Sequence, residues 1–300
     1  MDNDLDTLAT ALYVTCDDLL SSHPEWAPVR PRVGIVPKIT DAEVITLAVM
    51  QVLLQFTNET RWLRFAHKNL KDDFPHLPHQ SGYNKRVRKL ARTMSLLIPA
   101  LAAQTSVYFD DVWVADSTPV ECGKSRETTR RSDLAGWAEY GYCASHSRYF
   151  WGLRLHLVAT VQGLPVGFAL TGAKTVERDA LDAILARLPS RTGVTIFADK
   201  NYYGTNFEAD IDREGITLIR PTRKGESPRA GQQFLRPLRQ TIESIFDTFK
   251  DQLSLERHGG RTIAGVCARV AQRILALTAA IWHNDHTHAP VLRSLTAYDH

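Results

Sequence analysis

The sequence has few cysteines and no paired cysteine motif. Its four cysteines, Cys16, Cys122, Cys143 and Cys267, are scattered along the chain, and no C-x-x-C pair is present. A disulfide framework or a thiolate zinc site needs cysteines that are paired or closely spaced. We therefore expect neither kind of site, and the scattered cysteines favour a reducing, cytoplasmic environment.

The sequence also lacks a long apolar run and a charged-then-apolar leader. It opens on the acidic segment Met1-Asp2-Asn3-Asp4. No stretch approaches the roughly 18 consecutive apolar residues that a membrane span requires. The sequence therefore predicts a protein that is neither exported nor membrane-spanning.

A strong charge of one sign is missing as well. Lysine and arginine together number 36 against 33 acidic residues, so the formal net charge is only +3. This balance permits a polyanionic partner without requiring one. The composition, with 44% hydrophobic and 23% charged residues, is that of a globular protein. A nucleic-acid-binding function must therefore be sought in local clusters of charge.

The first hundred residues have the pattern of helices. Leucines at positions 5, 8, 12 and 19 recur at helical spacing. Thr40 and Glu43 form a capping-box motif in front of the apolar run 44–56, which indicates a helix start. A further helix is expected from about Ser81. We therefore expect an all-helical N-terminal domain over residues 1–105.

From residue 112 onward the pattern changes to strands that alternate with helices. Strands are expected at 112–115, 152–160, 164–170, 194–198 and 216–219, and helices at 176–188, 207–213, 234–253 and 262–282. Three strands followed by alternating helices and strands match an α/β fold of the ribonuclease-H-like type, a mixed sheet with flanking helices. We expect this catalytic domain to span residues 106–300, including the C-terminal helix. Neither G-x-S-x-G nor a G-x-G-x-x-G after the first strand is present, which disfavours hydrolase and dinucleotide-binding folds.

Two aspartates follow strands that are neighbours in this fold. Asp116 follows Trp113-Val114-Ala115, and Asp199 follows Ile196-Phe197-Ala198. A single aspartate at a strand end is more often a turn residue than a catalyst. Two carboxylates a few ångströms apart repel each other unless a cation lies between them. The pair therefore indicates a site for a hard divalent cation.

A third carboxylate is expected from the helix at 234–253. Glu243 borders the apolar stripe of this helix in a charged line with Arg239 and Lys250. A surface pair of Arg239 with Glu243 would explain the pattern equally well. Together with Asp116 and Asp199, Glu243 predicts oxygen ligands for Mg²⁺, and two such ions can promote in-line displacement at phosphorus.

Several basic segments are candidates for DNA contact. A solvated helix face or loop is the alternative for each of them. Arg148 adjoins Tyr149 and Trp151, a mixture that favours backbone tracking and base stacking, although core packing of Trp151 fits as well. The other candidates are Lys85, Arg86, Arg88, Lys89 and Arg92 in the helix that starts near Ser81, and Lys124, Arg126, Arg130 and Arg131 after the first strand.

These residues resemble motifs of the bacterial insertion-sequence transposases of the DDE type. One large group of them has the motif Y-x2-R-x3-E-x6-K; Arg239, Glu243 and Lys250 occupy its last three positions, and Arg236 replaces the tyrosine. Further stretches that resemble this family are residues 41–45, the basic segment near Asn84, 116–120, 141–157, 163–167 and 199–202. The resemblance covers most of the chain.

The resemblance implies a function and a set of partners. It implies that the helical domain binds the inverted repeats at transposon ends, and that the enzyme cuts a phosphodiester to a 3′-hydroxyl and transfers this hydroxyl into target DNA. It also implies that Asp116, Asp199 and Glu243 hold two Mg²⁺ ions, which Mn²⁺ can replace. Arg239 and Lys250 would contact DNA phosphates or orient Glu243, and a homodimer would bring two double-stranded DNA ends together. The alternatives are a ribonuclease-H-like nuclease without strand transfer and an inactive, domesticated DNA-binding protein.

Overall fold

The computed structural model describes residues 3–30, 36–143, 147–189 and 192–298. Its α-helices in these ranges are α1 Asn3–Ser22, α2 Asp41–Leu53, α3 Glu59–Asn69, α4 Gln80–Lys89, α5 Ala91–Ala102, α6 Arg126–Arg131, α7 Glu177–Leu185, α8 Thr205–Arg213, α9 Leu235–Asp247 and α10 Ile263–His286. Its strands are β1 Val112–Gly123, β2 Glu139–Cys143, β3 Arg148–Thr160, β4 Pro165–Gly172, β5 Thr195–Ala198 and β6 Thr217–Ile219.

The chain divides into two compact units. The helical unit comprises Met1–Thr105 and Phe249–His300, and the sheet unit comprises Ser106–Thr248. The first boundary lies where the sequence suggests it. The second differs from the expected division, which assigned all of 106–300 to the catalytic domain. The reason is that α10 packs against α2 and α5, so the C-terminal residues group with the N-terminal helices.

The helical unit is built around α2 and α10. The predicted capping box starts α2: the Thr40 N–H donates to Glu43 Oε2 at 2.6 Å, and the Glu43 N–H donates to Thr40 Oγ1 at 3.1 Å. The Gln272 amide of α10 donates to the Ala48 carbonyl of α2 at 2.6 Å. This bond satisfies a polar side chain inside an otherwise apolar interface.

From the sequence we expected no segment suited to a membrane span, and helix α10 is an exception. By length and composition alone it is long and apolar enough to cross a membrane. However, 83% of its most apolar 18-residue window is buried inside the protein. A helix that is apolar on all sides is found in a protein core as well as in a membrane, and the burial explains the composition of α10.

The sheet unit contains a mixed six-stranded sheet. Its order is β2-β3-β1-β5-β6, and β4 also pairs with β3. β1 is antiparallel to β3 and parallel to β5, which is parallel to β6. Helices flank the sheet, with α9 against β1 and β5 and α7 against β3 and β4. The ribonuclease-H-like α/β fold preceded by helices is thereby confirmed.

Three strands differ from the sequence prediction. β1 was expected to end at Ala115 but continues to Gly123, β2 was not expected at all, and β3 begins at Arg148 instead of residue 152. Beyond Ala115, β1 has no partner in β5 and pairs with β3 alone, so this segment tolerates Pro119 as an edge strand does. Pairing with the long strand β3 therefore outweighs the turn-like composition of residues 116–119.

Candidate active site

Asp116 and Asp199 lie beside each other where two parallel strands stop pairing. The last register pair of β1 and β5 is Ala115 with Ala198, and each aspartate is the next residue. Neighbouring strands are about 4.8 Å apart, and residues in register point to the same face. The prediction that these two aspartates follow neighbouring strands is therefore confirmed.

A cleft between this strand end and α9 contains both aspartates, and we call it the aspartate cleft. Arg239 of α9 lines the cleft together with the apolar side chains of the same helix. The lining residues are Val114, Ala115, Asp116, Phe197, Ala198, Asp199, Leu235, Leu238, Arg239 and Ile242. The apolar stripe predicted for this helix thus packs against the sheet and brings α9 to the aspartates.

The environment of Asp116 disfavours its negative charge. Burial, together with the charges of Glu177 and Asp199, raises the pKa of Asp116 to about 7, although the Ser117 N–H and the Arg239 charge act in the opposite direction. Burial is the largest cause of this shift, and the neighbouring carboxylates add to it. A cation beside Asp116 would offset both effects.

Asp199 is held at the start of the loop that follows β5. The Lys200 N–H donates to Asp199 Oδ1 at 2.5 Å, and the Tyr202 N–H donates to the Asp199 carbonyl at 3.1 Å. Tyr202 is fully buried, and its pKa is raised by burial and by the negative charges of Glu177, Asp116 and Asp199. The charges of three carboxylates therefore act on one buried phenol.

Glu177, the first residue of α7, is a member of this site that the sequence analysis missed. Ser117 Oγ donates to Glu177 Oε1 at 2.7 Å, and Arg154 Nη1 lies 3.4 Å from the same oxygen. Glu177 Oε2 is buried without a hydrogen-bond partner. An acidic residue in the first turn of a helix is common, so position alone gives no functional signal. The pairing of β1 with β3 brings Ser117 and Arg154 together, and the packing of α7 on the sheet adds Glu177.

Glu243 lies outside the cluster of aspartates. It is exposed on α9, one helical turn beyond Arg239 and about 100° around the helix from the buried Ile242. Among the described residues, no group of three or more histidine, cysteine, aspartate or glutamate side chains is close enough to hold a metal ion. The structure therefore brings together two of the three predicted ligands.

The two aspartates fit a divalent cation even so. Mg²⁺ is commonly bound through one or two carboxylates, with water and substrate phosphate oxygens as its other ligands. The hard oxygen pair in the aspartate cleft is thus a candidate for a metal centre.

The basic residues predicted to contact DNA from α4 divide into two groups. Lys85, Arg88 and Lys89 are exposed on α4. Arg86 differs from this expectation, because its half-buried guanidinium pairs with Asp41 and donates to the Ile39 carbonyl at 2.5 Å. Arg86 is therefore a structural residue of the helical unit.

Arg92 was expected on the same helix as Lys85, but the structure has two helices there, α4 and α5. The residue lies at the start of α5, where its guanidinium donates to the Glu25 carbonyl at 2.9 Å and remains exposed.

The basic candidates of the sheet unit are mostly exposed. Lys124 follows β1, and Arg126 and Arg130 lie on α6. Arg148 begins β3 and lies 3.8 Å from Glu121. Trp151 is 6% exposed, which confirms core packing for that ring.

Lys250 falls in the other unit. It is half-buried in the short π-helical turn Thr248–Gln252, and the unit boundary follows Thr248. α9 therefore ends before the predicted line of Arg239, Glu243 and Lys250 is complete.

Comparison with known proteins gives one family. The family described as Transposase DDE domain matches residues 108–279, which is more than half of the 300 residues. No curated protein matches the chain. Members of this family generally use divalent metal ions, and the matched range contains Asp116, Asp199 and Glu243. The chain belongs to the transposase DDE domain family.

Proposed function

We propose that this protein is a transposase that binds the inverted repeats of its element, cuts a phosphodiester to a 3′-hydroxyl and transfers this hydroxyl to target DNA. The observation that carries the proposal is the pair Asp116 and Asp199, side by side in a cleft where the pKa of Asp116 is raised to about 7. Such a shift at a cleft is typical of a functional site.

In this proposal Asp116, Asp199 and Glu243 hold two Mg²⁺ ions, and Mn²⁺ can replace them. When bound, the ions supply activation of the attacking oxygen and stabilisation of the leaving oxygen. The aspartates contribute fixed ligands, since β1 and β5 hold their backbones in register. Glu243 is supported by its motif spacing and by its position one turn beyond Arg239, which lines the same cleft.

Arg239 positions substrate in this arrangement. Its charge lowers the pKa of Asp116, and the residue lines the cleft, which supports this role. A cation at this place attracts a DNA phosphate and partly offsets the charges of the carboxylates. Lys250 is proposed as a second phosphate contact on the motif alone.

Double-stranded DNA is the proposed partner, both as transposon end and as target. Exposed Lys85, Arg88 and Lys89 on α4 form a cationic face suited to phosphates, and Lys124, Arg126 and Arg130 form another in the sheet unit. We propose that the helical unit binds the transposon end. A homodimer in the complex that joins two ends, and a cytoplasmic location at the nucleoid, belong to the same proposal.

Cleavage of DNA that carries the element's own ends tests the proposal. Asp116→Asn, Asp199→Asn and Glu243→Gln should each lower Mg²⁺-dependent cleavage at least about a thousandfold while end binding stays within a few fold. Asp247→Asn, an exposed acid one turn after Glu243 on the same helix, is the matched control and should cut normally.

The products distinguish the alternatives. A joined product formed from a 3′-hydroxyl end excludes a nuclease that only cuts. Normal cleavage by any one of the three variants would remove that residue from the proposed metal site. Wild-type protein without any Mg²⁺-dependent cleavage would support the inactive DNA-binding alternative.

A further inference from the structure

Three exposed tyrosines form a stripe on the hairpin of β2 and β3. Tyr140, Tyr142 and Tyr149 are 55%, 48% and 77% exposed, and we call them the tyrosine stripe. Tyr142 and Tyr149 are register partners with ring centroids 5.1 Å apart. A contiguous exposed aromatic patch marks an interaction surface more often than isolated apolar residues do.

The opposite face of the hairpin is buried. Cys143 and Phe150 form a small core there with Ala173 of the following turn. Gly141 allows this packing, since a Cβ at this position would lie 2.8 Å from the Phe150 ring. The inner face of the hairpin thus packs in this core, and the outer tyrosines take no part in that packing.

The tyrosine stripe lies on the sheet face that contains Asp116. Asp116 is opposite Leu157 of β3, and Tyr149 is eight residues before Leu157 on the same strand. Side chains separated by an even number of residues on a regular strand share a face. The distance along β3 is about 27 Å, roughly the length of eight stacked nucleotides. Between the two places this face of β3 is covered by the protein, since Trp151, Leu153 and Leu155 are 6%, 2% and 0% exposed.

Arg154 holds the hairpin from the other face of the sheet. Its Nη1 donates to Ser117 Oγ at 3.0 Å, beside Glu177, and its Nη2 donates to the Tyr142 carbonyl at 3.1 Å. Ser117 is the residue after Asp116 and pairs with His156, so Ser117 and Arg154 lie on the face opposite Asp116 and Tyr149. The Arg154 side chain is only 15% exposed, so its guanidinium has a fixed position. The backbone of the stripe is therefore held in a defined position relative to the residue after Asp116.

Cations border the stripe. Helix α6 has three arginines and one glutamate, and its Thr129 hydroxyl lies 3.4 Å from the Tyr140 hydroxyl. Arg126 and Arg130 are exposed beside this contact. Aromatic faces next to cations are the combination that binds single-stranded nucleic acid, because bases stack on the rings and phosphates pair with the cations.

We propose that the tyrosine stripe binds single-stranded DNA by stacking unpaired bases on its rings. This inference rests on the proposed function, which makes DNA the partner of this protein. The sequence-tolerant nature of stacking fits a surface that accepts whatever flanking DNA adjoins the element.

Binding of two probes of equal length tests this inference. Fluorescence anisotropy with the full-length protein in EDTA, so that no cleavage occurs, measures the dissociation constants of a 20-nucleotide oligo-dT strand and a 20-base-pair duplex. The Tyr142→Ala/Tyr149→Ala variant should bind the single strand at least about tenfold more weakly, because each lost stacking contact has a large effect. Its affinity for the duplex should stay within about twofold.

Three variants serve as controls. Tyr142→Phe/Tyr149→Phe keeps both rings and should retain single-strand affinity. Tyr149→Ala alone, at the most exposed position, gives a milder loss if the double variant folds poorly. Arg126→Gln should weaken binding of the single strand and of the duplex to the same extent, since both probes carry phosphates.

Several outcomes would overturn the inference. They are a wild-type protein that does not bind oligo-dT, alanine variants that bind the single strand as the wild type does, and equal losses for both probes. A change of molecular mass in size-exclusion chromatography with unchanged single-strand binding would identify the stripe as a protein contact instead. None of these results depends on cleavage, so they are distinguishable from failure of the proposed catalytic residues.

Discussion

Two groups of acidic side chains in the sheet unit differ in whether arginines neutralise them. In the first group, Arg220 is 2% exposed and its Nη2 lies 2.7 Å from Glu208 Oε1 and 2.8 Å from Glu226 Oε1. Arg229 adds a contact of 2.7 Å to Glu208. In the aspartate cleft, Asp116 has the charge of Arg239 to oppose its own charge and those of Glu177 and Asp199, and Glu177 contacts Arg154 at 3.4 Å.

The pKa values of the two groups move in opposite directions. The hydrogen bond from Arg220 lowers the pKa of Glu226 to about 2, and arginine hydrogen bonds outweigh burial in lowering the pKa of Glu208. Burial raises the pKa of Asp116 to about 7. The first group is complete without a ligand, whereas the second would gain stability from a bound cation. Acidic clusters therefore have functional meaning where their charge is left uncompensated.

Removal of Arg220 should produce the largest change in stability. Arg220→Ala leaves Glu208 and Glu226 without their shared buried partner, and loss of one member of a buried ion pair costs about 3 kcal/mol of the free energy of unfolding. Urea denaturation measures this loss. The control is Arg213→Ala, which breaks the exposed pair with Asp210 and should cost less than about 1 kcal/mol. Equal effects of the two substitutions would remove the contrast between structural and surface pairs.

Neutralisation of Asp116 should raise the free energy of unfolding, the opposite of the effect at Arg220. A buried carboxyl whose folded-state pKa is raised stabilises the protein fully only below the unfolded pKa near 4, and this contribution is lost as the pH rises through about 7. Asp116→Asn should therefore stabilise the metal-free protein by about 1–3 kcal/mol at pH 8 and by little at pH 4.5. Thermal unfolding at both pH values checks this difference.

Added Mg²⁺ sharpens the same comparison. It should raise the melting temperature of the wild type at pH 8 by a few degrees, because a ligand that binds only the folded state stabilises it. The melting temperature of Asp116→Asn should stay nearly the same when Mg²⁺ is added. A variant that is no more stable than the wild type at pH 8 would contradict the view that the cleft lacks positive charge.

The smallest effect is expected at Glu226 in acid. Its pKa is lowered to about 2, so the stability that it contributes is present above the unfolded pKa near 4 and is lost as the pH falls through about 2. Glu226→Gln should therefore lower stability at neutral pH and flatten its decline between pH 4 and pH 2. Acid unfolding followed by circular dichroism measures how steeply stability falls with pH. An unchanged slope would mean that the contact between Arg220 and Glu226 contributes no stability.

Much of the fold follows from local patterns in the sequence. The capping box at Thr40 and Glu43 and the apolar run after it predict α2, because short-range hydrogen bonds and burial point to the same helix. The order of strands and helices predicts the mixed sheet, and matching strand-end contexts predict that Asp116 and Asp199 are neighbours. Each of these features depends on a few consecutive residues.

Features that depend on distant pairing were not predictable. The first strand was expected to end at Ala115, yet pairing with β3 extends β1 to Gly123. Glu177 reads as an ordinary first-turn acid, and only tertiary packing gives it Ser117 and Arg154 as partners. Arg86 reads as an exposed cation, because nothing near it in sequence identifies Asp41 as its partner. Long-range contacts decide these positions, and one sequence does not encode them in a local pattern.

The position of a metal ion in a complex with DNA tests the central claim most directly. Crystals of the full-length protein with cleaved element-end DNA and Mn²⁺ would locate the ion by anomalous scattering. We expect an ion between Asp116 and Asp199. Oxygens of both aspartates and of Glu243 should coordinate it at about 2.1 Å. An ion bound elsewhere, or Glu243 turned away from it in the DNA complex, would contradict the proposed site.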